Sequence, residues 1–484
     1  AAAAAVAPGG AEARDSGPPT RECKKVPSLG VMSLLSCAFV TAGEYVVWAI
    51  FAALDFFLGL AYYPLKHLRH WRYERSSQRV APLLNDGEAP VGPRRKTVVV
   101  VGGNFGGLAA LHEFEGDTDF RVVLIDQRGY FEYTPGVLRL LCDPELWPTM
   151  ARAIPTGTHE FILGTVTNVN KACVVVSSPA GTTTTIAFDY LILATGADYR
   201  QPITPSLTEA SMSVRASTWK MEAARLAAAE SVLVLGGGAV GSELAAEVAC
   251  YYPGKHLTIV DAAEHLVPLF PSQTVQKAER WFLDQGVELL LGQKLQRWDE
   301  KSCTLASGRV VEADIVYVCF GMKQNSQCVA SGDVSSCLGE RRQVLVNDFL
   351  QVEGEPHMFA VGDVMEHPAR EIKQAYYAEM NGKMAALNII RLAKGEPLLK
   401  YPEALAGAAV MPLVYVVSLG RYDGSLGFNS LVLNGPLAAL VKYVLEYTKV
   451  AQMEGRPIGH LIWLIGDAVT FFLSRTCIRP DHRD

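Results

Sequence analysis

Apolar and polar positions divide the chain into blocks. From Leu29 to Tyr63 run 35 residues whose only charges are Glu44 and Asp55, longer than the roughly 20 residues with which a helix crosses a bilayer. The two acids are eleven apart, close to three turns, so a continuous helix puts both on one face. Acids in a span face protein or water rather than lipid, so this pattern predicts a membrane segment with a protein neighbour. A buried hairpin, or a re-entrant pair broken at Gly43, is the other reading. Arg14, Arg21, Lys24 and Lys25 precede the segment and Lys66, Arg69, Arg72, Arg75 and Arg79 follow it, a slight positive-inside bias toward the C-terminal side. After the polar stretch "SSQRVAPLLNDGEAPVGPRRK", Thr97–Val101 is a continuous apolar run and predicts a buried strand, followed by glycines and a helix through Phe114. A second strand, Arg121–Ile125, ends on Asp126.

The same signature returns at "SVLVLGGGAVGSELAAEVA" from Ser231, with "HLTIVD" ending on Asp261. Between the two lie "FILGTVTNVNKACVVVSS", with the alternation of antiparallel strands, and the buried strand "DYLILATGADY". "ADIVYVCFG" and "MFAVGDV" are later strands, and Gln374–Leu392 reads as a helix. The pattern predicts an α/β chain with two Rossmann-like dinucleotide-binding domains, the second inserted in the first. The expected divisions are a head over 1–28, a membrane anchor over 29–65, a linker over 66–95, the first domain over 96–217 and 343–400, the second over 218–342, and a membrane-associated region over 401–484. In that last region "PLAALVKYVLEYTKV" places Lys442, Glu446 and Lys449 on one narrow polar stripe of an apolar helix. "HLIWLIGDAVTFFLS" carries the single charge Asp467 and is too short to span. Both are expected to lie on a membrane; core helices capping the first domain are the alternative.

Composition narrows the function. With 484 residues, 49% hydrophobic and 19% charged, the chain has enough apolar material for several cores. The formal net charge is −6, so no electrostatic footprint for nucleic acid exists, and none is expected as a partner. The ten cysteines never form Cys-x-x-Cys, which predicts packed thiols, no redox disulfide and no metal. The alanine-rich head "AAAAAVAPGGAEARDSGPPT" is too poor in large apolar residues to fold. Its composition, without an initiator methionine, is compatible with import into a mitochondrion or plastid.

The chemistry lies in the glycines. Gly102 makes a tight turn, Gly107 lets helix meet strand, and the middle position lets backbone approach a pyrophosphate lying on the helix N-terminus. Asn104 stands at that middle position, where a left-handed backbone would favour glycine and tolerate asparagine best. Asp126, twenty-four residues after Gly102, is at the distance at which a carboxylate takes ribose hydroxyls. The second motif is unbroken, with Gly236, Gly238 and Gly241 and with Asp261 in the matching place. A glycine-rich turn without ligand is the plain reading of either motif alone; their repetition argues for two nucleotides.

These segments, with "GGNFGGLAAL", "VYVCFGMKQNS", "LVNDFLQVEGEPHMFAVGD", "REIKQAYYAEMNGKMAALNI" and "SLGRYDG", resemble the two-dinucleotide-binding-domain flavoproteins of the pyridine nucleotide-disulfide oxidoreductase superfamily. Within it the chain resembles the ferroptosis-suppressor and apoptosis-inducing-factor-like NAD(P)H:quinone oxidoreductases; "GYFEYTPGVL" looks more like the type II NADH dehydrogenases. The resemblance runs from about Lys96 to Lys449. It implies FAD at Gly102, Gly103, Asn104, Phe105, Gly106, Gly107 and Asp126, with Gly362 and Asp363 toward the flavin chain. Thr134, Pro135, Thr195 and Gly196 would lie near the flavin ring or support it, and Gly321 is a further cofactor-binding position. The nicotinamide nucleotide would lie on Gly236, Gly238, Gly241, Glu243 and Asp261, and Asp261, with no arginine following, favours NADH over NADPH. The region where disulfide reductases of this superfamily carry a reactive cysteine reads "YFEYTPGVL", which disfavours disulfide reduction. Cys142, just beyond it, reads as a packed thiol.

The resemblance implies hydride transfer from NADH to FAD and then two electrons to a quinone, whose reduction also requires protons. Lys373 and Glu247 are the candidate proton-handling groups. A surface lysine at a helix start, and a helix acid in a capping role, are their plain alternatives. An isoprenoid quinone would give the membrane segments a purpose, and 29–65 could also reach the subunits of a membrane complex. The opposed reading is a structural subunit on the same fold with little turnover, for which Asn104, Phe320 in place of a common threonine, and the acids in the anchor speak.

Overall fold

The computed structural model describes residues 31–80, 95–154 and 159–475, with side chains omitted at 31–34 and 61–80. The head over 1–28 and the polar stretch over 81–94 lie outside them. Two parallel sheets organise the body. The first has the apolar strand Lys96–Val101 at its centre, flanked by Phe120–Asp126 and Tyr190–Leu193, with Glu160–Leu163 and Glu355–Ala360 further out. Val98, Val99 and Val100 are fully buried, as the continuous apolar run requires of a strand covered on both faces. The short edge strand Gln351–Val352 pairs antiparallel with Glu355–Ala360. The second sheet runs Glu288–Leu290, His256–Val260, Ser231–Leu235, Ile315–Val318, parallel throughout.

The alternating segment "TVTNV…CVVVS…TTTIA" forms a three-stranded antiparallel meander over Thr165–Ala187. The chain crosses toward the second sheet at Ala197–Asp198 and returns at Lys323–Gln324, and these two crossings pair antiparallel. Asn325 fastens them: its Nδ2 donates to Asp198 Oδ1 at 2.8 Å and to the Thr195 carbonyl at 3.1 Å, and its N–H to the Gly196 carbonyl at 3.0 Å. Helices Phe105–Glu113 and Ala375–Lys394 pack closely because both carry glycine at the crossing. A Cβ on Gly382 would sit 2.0 Å from the Gly106 carbonyl oxygen.

A third unit, the sheet Val414–Ser418, Gly424–Phe428, Leu431–Asn434 with helices Pro436–Met453 and Pro457–Leu473, bridges both domains. The apolar N-terminal segment is one continuous helix, Val31–Val80, not a pair broken at Gly43. It runs past Tyr63 because the lysine, arginines and glutamate that follow favour helix as well as the apolar residues do. Its residues Leu35–Leu60 are long and apolar enough to cross a membrane.

Candidate functional site

The first glycine-rich turn is shaped by close approach of backbone to backbone. Gly102 has φ +107°, and a Cβ there would lie 2.2 Å from the Ala194 carbonyl oxygen, so glycine is required. A Cβ on Gly107 would lie 1.8 Å from the Gly102 carbonyl oxygen, which fixes how near the helix Phe105–Glu113 comes to its strand. Gly103 donates its N–H to Asp126 Oδ2 at 2.6 Å, and Asp126 Oδ1 accepts from the Arg128 N–H at 2.8 Å. Arg128 Nε stands 3.7 Å from the same carboxylate. Phe105 packs edge-on to Phe131 and Tyr133, holding the helix start against the "YFEYTP" segment.

Asn104 does not have the left-handed backbone the sequence suggested. Its φ is −109° and ψ −153°, extended geometry open to any residue. Its Nδ2 donates to the Glu132 carbonyl at 3.3 Å, while Oδ1 is buried with no partner.

The second turn repeats the first. Gly236 also has φ +107°, a Cβ on Gly241 would again lie 1.8 Å from a carbonyl oxygen, that of Gly236, and Gly238 has open space where a Cβ would stand. Asp261 takes the Gly237 N–H on Oδ2 at 2.5 Å and the Ala263 N–H on Oδ1 at 2.7 Å. Phe320 is absorbed by packing: it lies edge-on to Trp298 with ring centroids 5.1 Å apart.

Beside the first turn the Gly-Asp segment and the residues after it fold back on themselves. Lys373 Nζ donates to the Met365 carbonyl at 2.7 Å and the Gly362 carbonyl at 3.4 Å. Burial raises the Asp363 carboxyl above its ordinary range, and Lys373 works against that rise. Gly362, at φ +72°, donates its N–H to Asn381 Oδ1 at 3.1 Å. His367 is buried at 3% exposure; its Nδ1 accepts from the Ala369 N–H at 3.1 Å and its Nε2 has no partner. Desolvation lowers its pKa to about 4. Thr134 is exposed and Pro135 half-buried at the start of the 3-10 helix Thr134–Leu141. Gly196 and Gly321, both at positive φ, face open space, and Thr195 Oγ1 is buried without a partner.

The donor set fits two dinucleotides. Each turn offers a helix N-terminus next to an ordered carboxylate. Asn104 Oδ1 and Thr195 Oγ1 are orphaned buried polar atoms of the kind a ligand satisfies, and the open space at Gly238 leaves room for a phosphate to approach backbone.

The two proton-handling candidates are not brought together. Glu247 is 4% exposed, with Oε1 3.7 Å from Arg139 Nε and Oε2 unpartnered. Burial raises its pKa against the pull of Arg139 and Lys442. Its electrostatic neighbours, Arg139, Lys442, Glu243 and Glu446, all lie outside the Gly362–Lys373 segment. Glu243 faces the third unit, where its Oε1 accepts from Lys442 Nζ at 2.8 Å and from the Ser418 N–H at 2.8 Å. The stripe of Lys442, Glu446 and Lys449 points inward: Glu446 pairs with Arg139 at 3.2 Å and Lys449 with Glu379 at 2.7 Å. The stripe therefore meets the chain's own body. Arg139, Asn325, Arg421 and Arg456 carry no local signal, because their partners are up to 401 positions away in the chain.

The acids in the anchor also find partners in their own chain. Glu44 Oε2 accepts from Arg421 at 2.5 Å and Asp55 Oδ2 from Arg456 at 2.6 Å, with Asp55 Oδ1 taking the Ile458 N–H at 3.1 Å. They therefore give no reason to expect a second subunit. Cys142 is a packed thiol, raised well above its ordinary pKa by burial, so it offers no ready thiolate.

Residues 96–382 match the family model described as pyridine nucleotide-disulphide oxidoreductase. Ferroptosis suppressor protein 1 of Xenopus laevis is 28% identical over 362 residues, 71% of this chain and 92% of that protein. The human protein of the same name is 29% identical over 340 residues, 68% and 87% of the two chains. Among solved structures, the sulfide:quinone oxidoreductase of Aquifex aeolicus superposes with TM-score 0.61 at 19% identity, covering 74% of this chain and 92% of that one. The NDH2 of Plasmodium falciparum, in complex with NADH, superposes with TM-score 0.57 at 14% identity, covering 75% and 100%. FAD and NADH are the cofactors that the family implies for this fold.

Proposed function

We propose that this chain, which belongs to the pyridine nucleotide-disulphide oxidoreductase family, oxidises NADH and reduces a quinone at a membrane surface. FAD would sit on the turn at Gly102–Gly107 and supply hydride acceptance and two-electron delivery. NADH would sit on the turn at Gly236–Gly241, where Asp261 receives the ribose hydroxyls and, with no arginine following it in "DAAEHLVP", repels a 2′-phosphate.

Lys373 is the observation that carries the reading. With two of its donor directions spent on the Met365 and Gly362 carbonyls, the ammonium keeps a third for an acceptor in the site. It can hold a proton there for a reduced quinone oxygen, the work the second half-reaction demands. Glu247, buried on Arg139, is better suited to holding the second domain against the 3-10 helix Thr134–Leu141 than to meeting a substrate. The Aquifex relative is named for a quinone, and the apolar helices beside the first domain suit a lipid-soluble acceptor. An organellar membrane is the compartment the alanine-rich head suggests.

An anaerobic NADH titration of the detergent-purified chain, followed by a short-chain quinone, tests this. Bleaching of the flavin colour by NADH, weakly by NADPH, and its return on adding quinone is the expected result. Lys373→Met should leave bleaching intact and slow recolouring about 100-fold. A colourless protein, or one whose colour NADH does not change, would favour a subunit without turnover.

A further inference from the structure

The helices on the membrane side are inside out. Every charge placed inward on Pro436–Met453 and Pro457–Leu473 is paired with the body: Lys442 with Glu243, Glu446 with Arg139, Lys449 with Glu379, and Asp467 with Lys383 at 3.5 Å. The N-terminal helix does the same through Glu44 and Asp55. Its outward stripe is Leu35, Phe39, Val46, Ile50, Leu54 and Phe57, all exposed, and helix Pro457–Leu473 continues that surface with Leu461, Leu464, Ile465 and Phe472. Soluble helices place charges out and leucines in; the reverse is stable where the surroundings are hydrocarbon.

The N-terminal helix is also fixed over residues 43–55. Gly43 lies against Leu440, with a Cβ there only 2.9 Å from Leu440 Cδ2, and Phe51 and Tyr447 have ring centroids 5.7 Å apart. The ion pairs at Glu44 and Asp55 are eleven residues apart, about 16 Å of helix. A perpendicular crossing of a core about 30 Å thick would carry Arg421, Arg456 and their loops into hydrocarbon.

We propose that the N-terminal helix and Pro457–Leu473, seated on Pro436–Met453, form one lipid-facing surface by which the chain sits in a single leaflet of an anionic bilayer, with the N-terminal helix docked on its own body instead of crossing. The basic residues that follow in sequence, Lys66, Arg69, Arg72, Arg75 and Arg79, suit anionic headgroups. The surface rests on the membrane-side reading above but not on turnover.

The test adds the purified full chain to preformed sealed vesicles of phosphatidylcholine, with and without phosphatidylglycerol. The chain is expected to float with the vesicles, more strongly when phosphatidylglycerol is present. Phe57→Glu and Leu464→Glu should each lower the bound fraction about tenfold while keeping flavin colour and turnover of a soluble quinone. In a Cys477→Ser background, a membrane-impermeant maleimide should modify Cys23 without detergent. Protection of Cys23 until detergent is added would mean a crossing helix and overturn the proposal. Failure to float, with self-association that either glutamate variant abolishes, would assign the surface to a second copy and overturn it too. Flotation without NADH oxidation would instead sink the proposed function and leave the surface standing.

Discussion

The two glycine-rich turns share geometry to the level of single hydrogen bonds and differ at one position and one neighbour. In both, the first glycine has φ +107° and the last accepts a backbone oxygen where a Cβ would need to be. In both, the strand-end aspartate clamps the second glycine with one oxygen and the N–H two residues on with the other. The first turn carries Asn104 and has Arg128 beside its aspartate; the second carries Gly238, and among the described residues its aspartate makes no ion pair. The shared part makes the turn; under the proposed function, the differing part chooses the ligand. The middle residue has extended backbone in both, φ −109° at Asn104 and −68° at Gly238, so its identity is free to vary without cost to the fold.

That division can be broken or sharpened. Gly107→Val and Gly241→Val force a side chain onto a carbonyl oxygen and should each cost about 3 kcal/mol or more, read as lost thermal stability of the flavin-loaded protein; a tolerated change at either site would break the equivalence. Asp261→Ser should raise the KM for NADH about tenfold, roughly 1.4 kcal/mol, and narrow the preference over NADPH without loss of flavin colour. Asp126→Ser should instead lower flavin content. Exchanging the middle residues is a milder change: Gly238→Asn should raise the KM for NADH a few-fold, and Asn104→Gly should leave folding unchanged and flavin retained, with Tm unaltered in both.

The smallest effect expected lies beside the first turn, at His367, which has no equivalent in the second. Burial keeps it neutral with a pKa of about 4, among Asp348, Lys373, Lys400 and the Tyr401 ring. The unfolded chain binds a proton near pH 6.5. Stability from this group is therefore present above that pH and is lost as pH falls from about 6.5 to about 4. His367→Asn should flatten that part of the stability profile, measured by denaturant unfolding at a series of pH values.

Local pattern made much of the site legible. The apolar strands, the glycines after them and the aspartates at Asp126 and Asp261 are all set within some thirty residues, so periodicity and spacing carry them. The same local reading misjudged Asn104, because a fingerprint states which residue is usual and not which φ the turn imposes. It also left open what the polar stripe of Pro436–Met453 meets. A stripe of Lys442, Glu446 and Lys449 is the same whether it meets water or two carboxylates and a guanidinium of its own chain, and Glu243, Arg139 and Glu379 are distant in sequence.

Sequence alone determined the fold class, the two nucleotide turns and the apolar length of the N-terminal helix, since each depends on residues near one another in the chain and on steric limits of the backbone. Tertiary structure decided what those elements meet. It put Lys373 on the Gly-Asp turn, sent Glu247 to Arg139, and answered Glu44 and Asp55 with Arg421 and Arg456. Buried charges must be paired, but which charge does the pairing is settled only when the whole chain has closed around it.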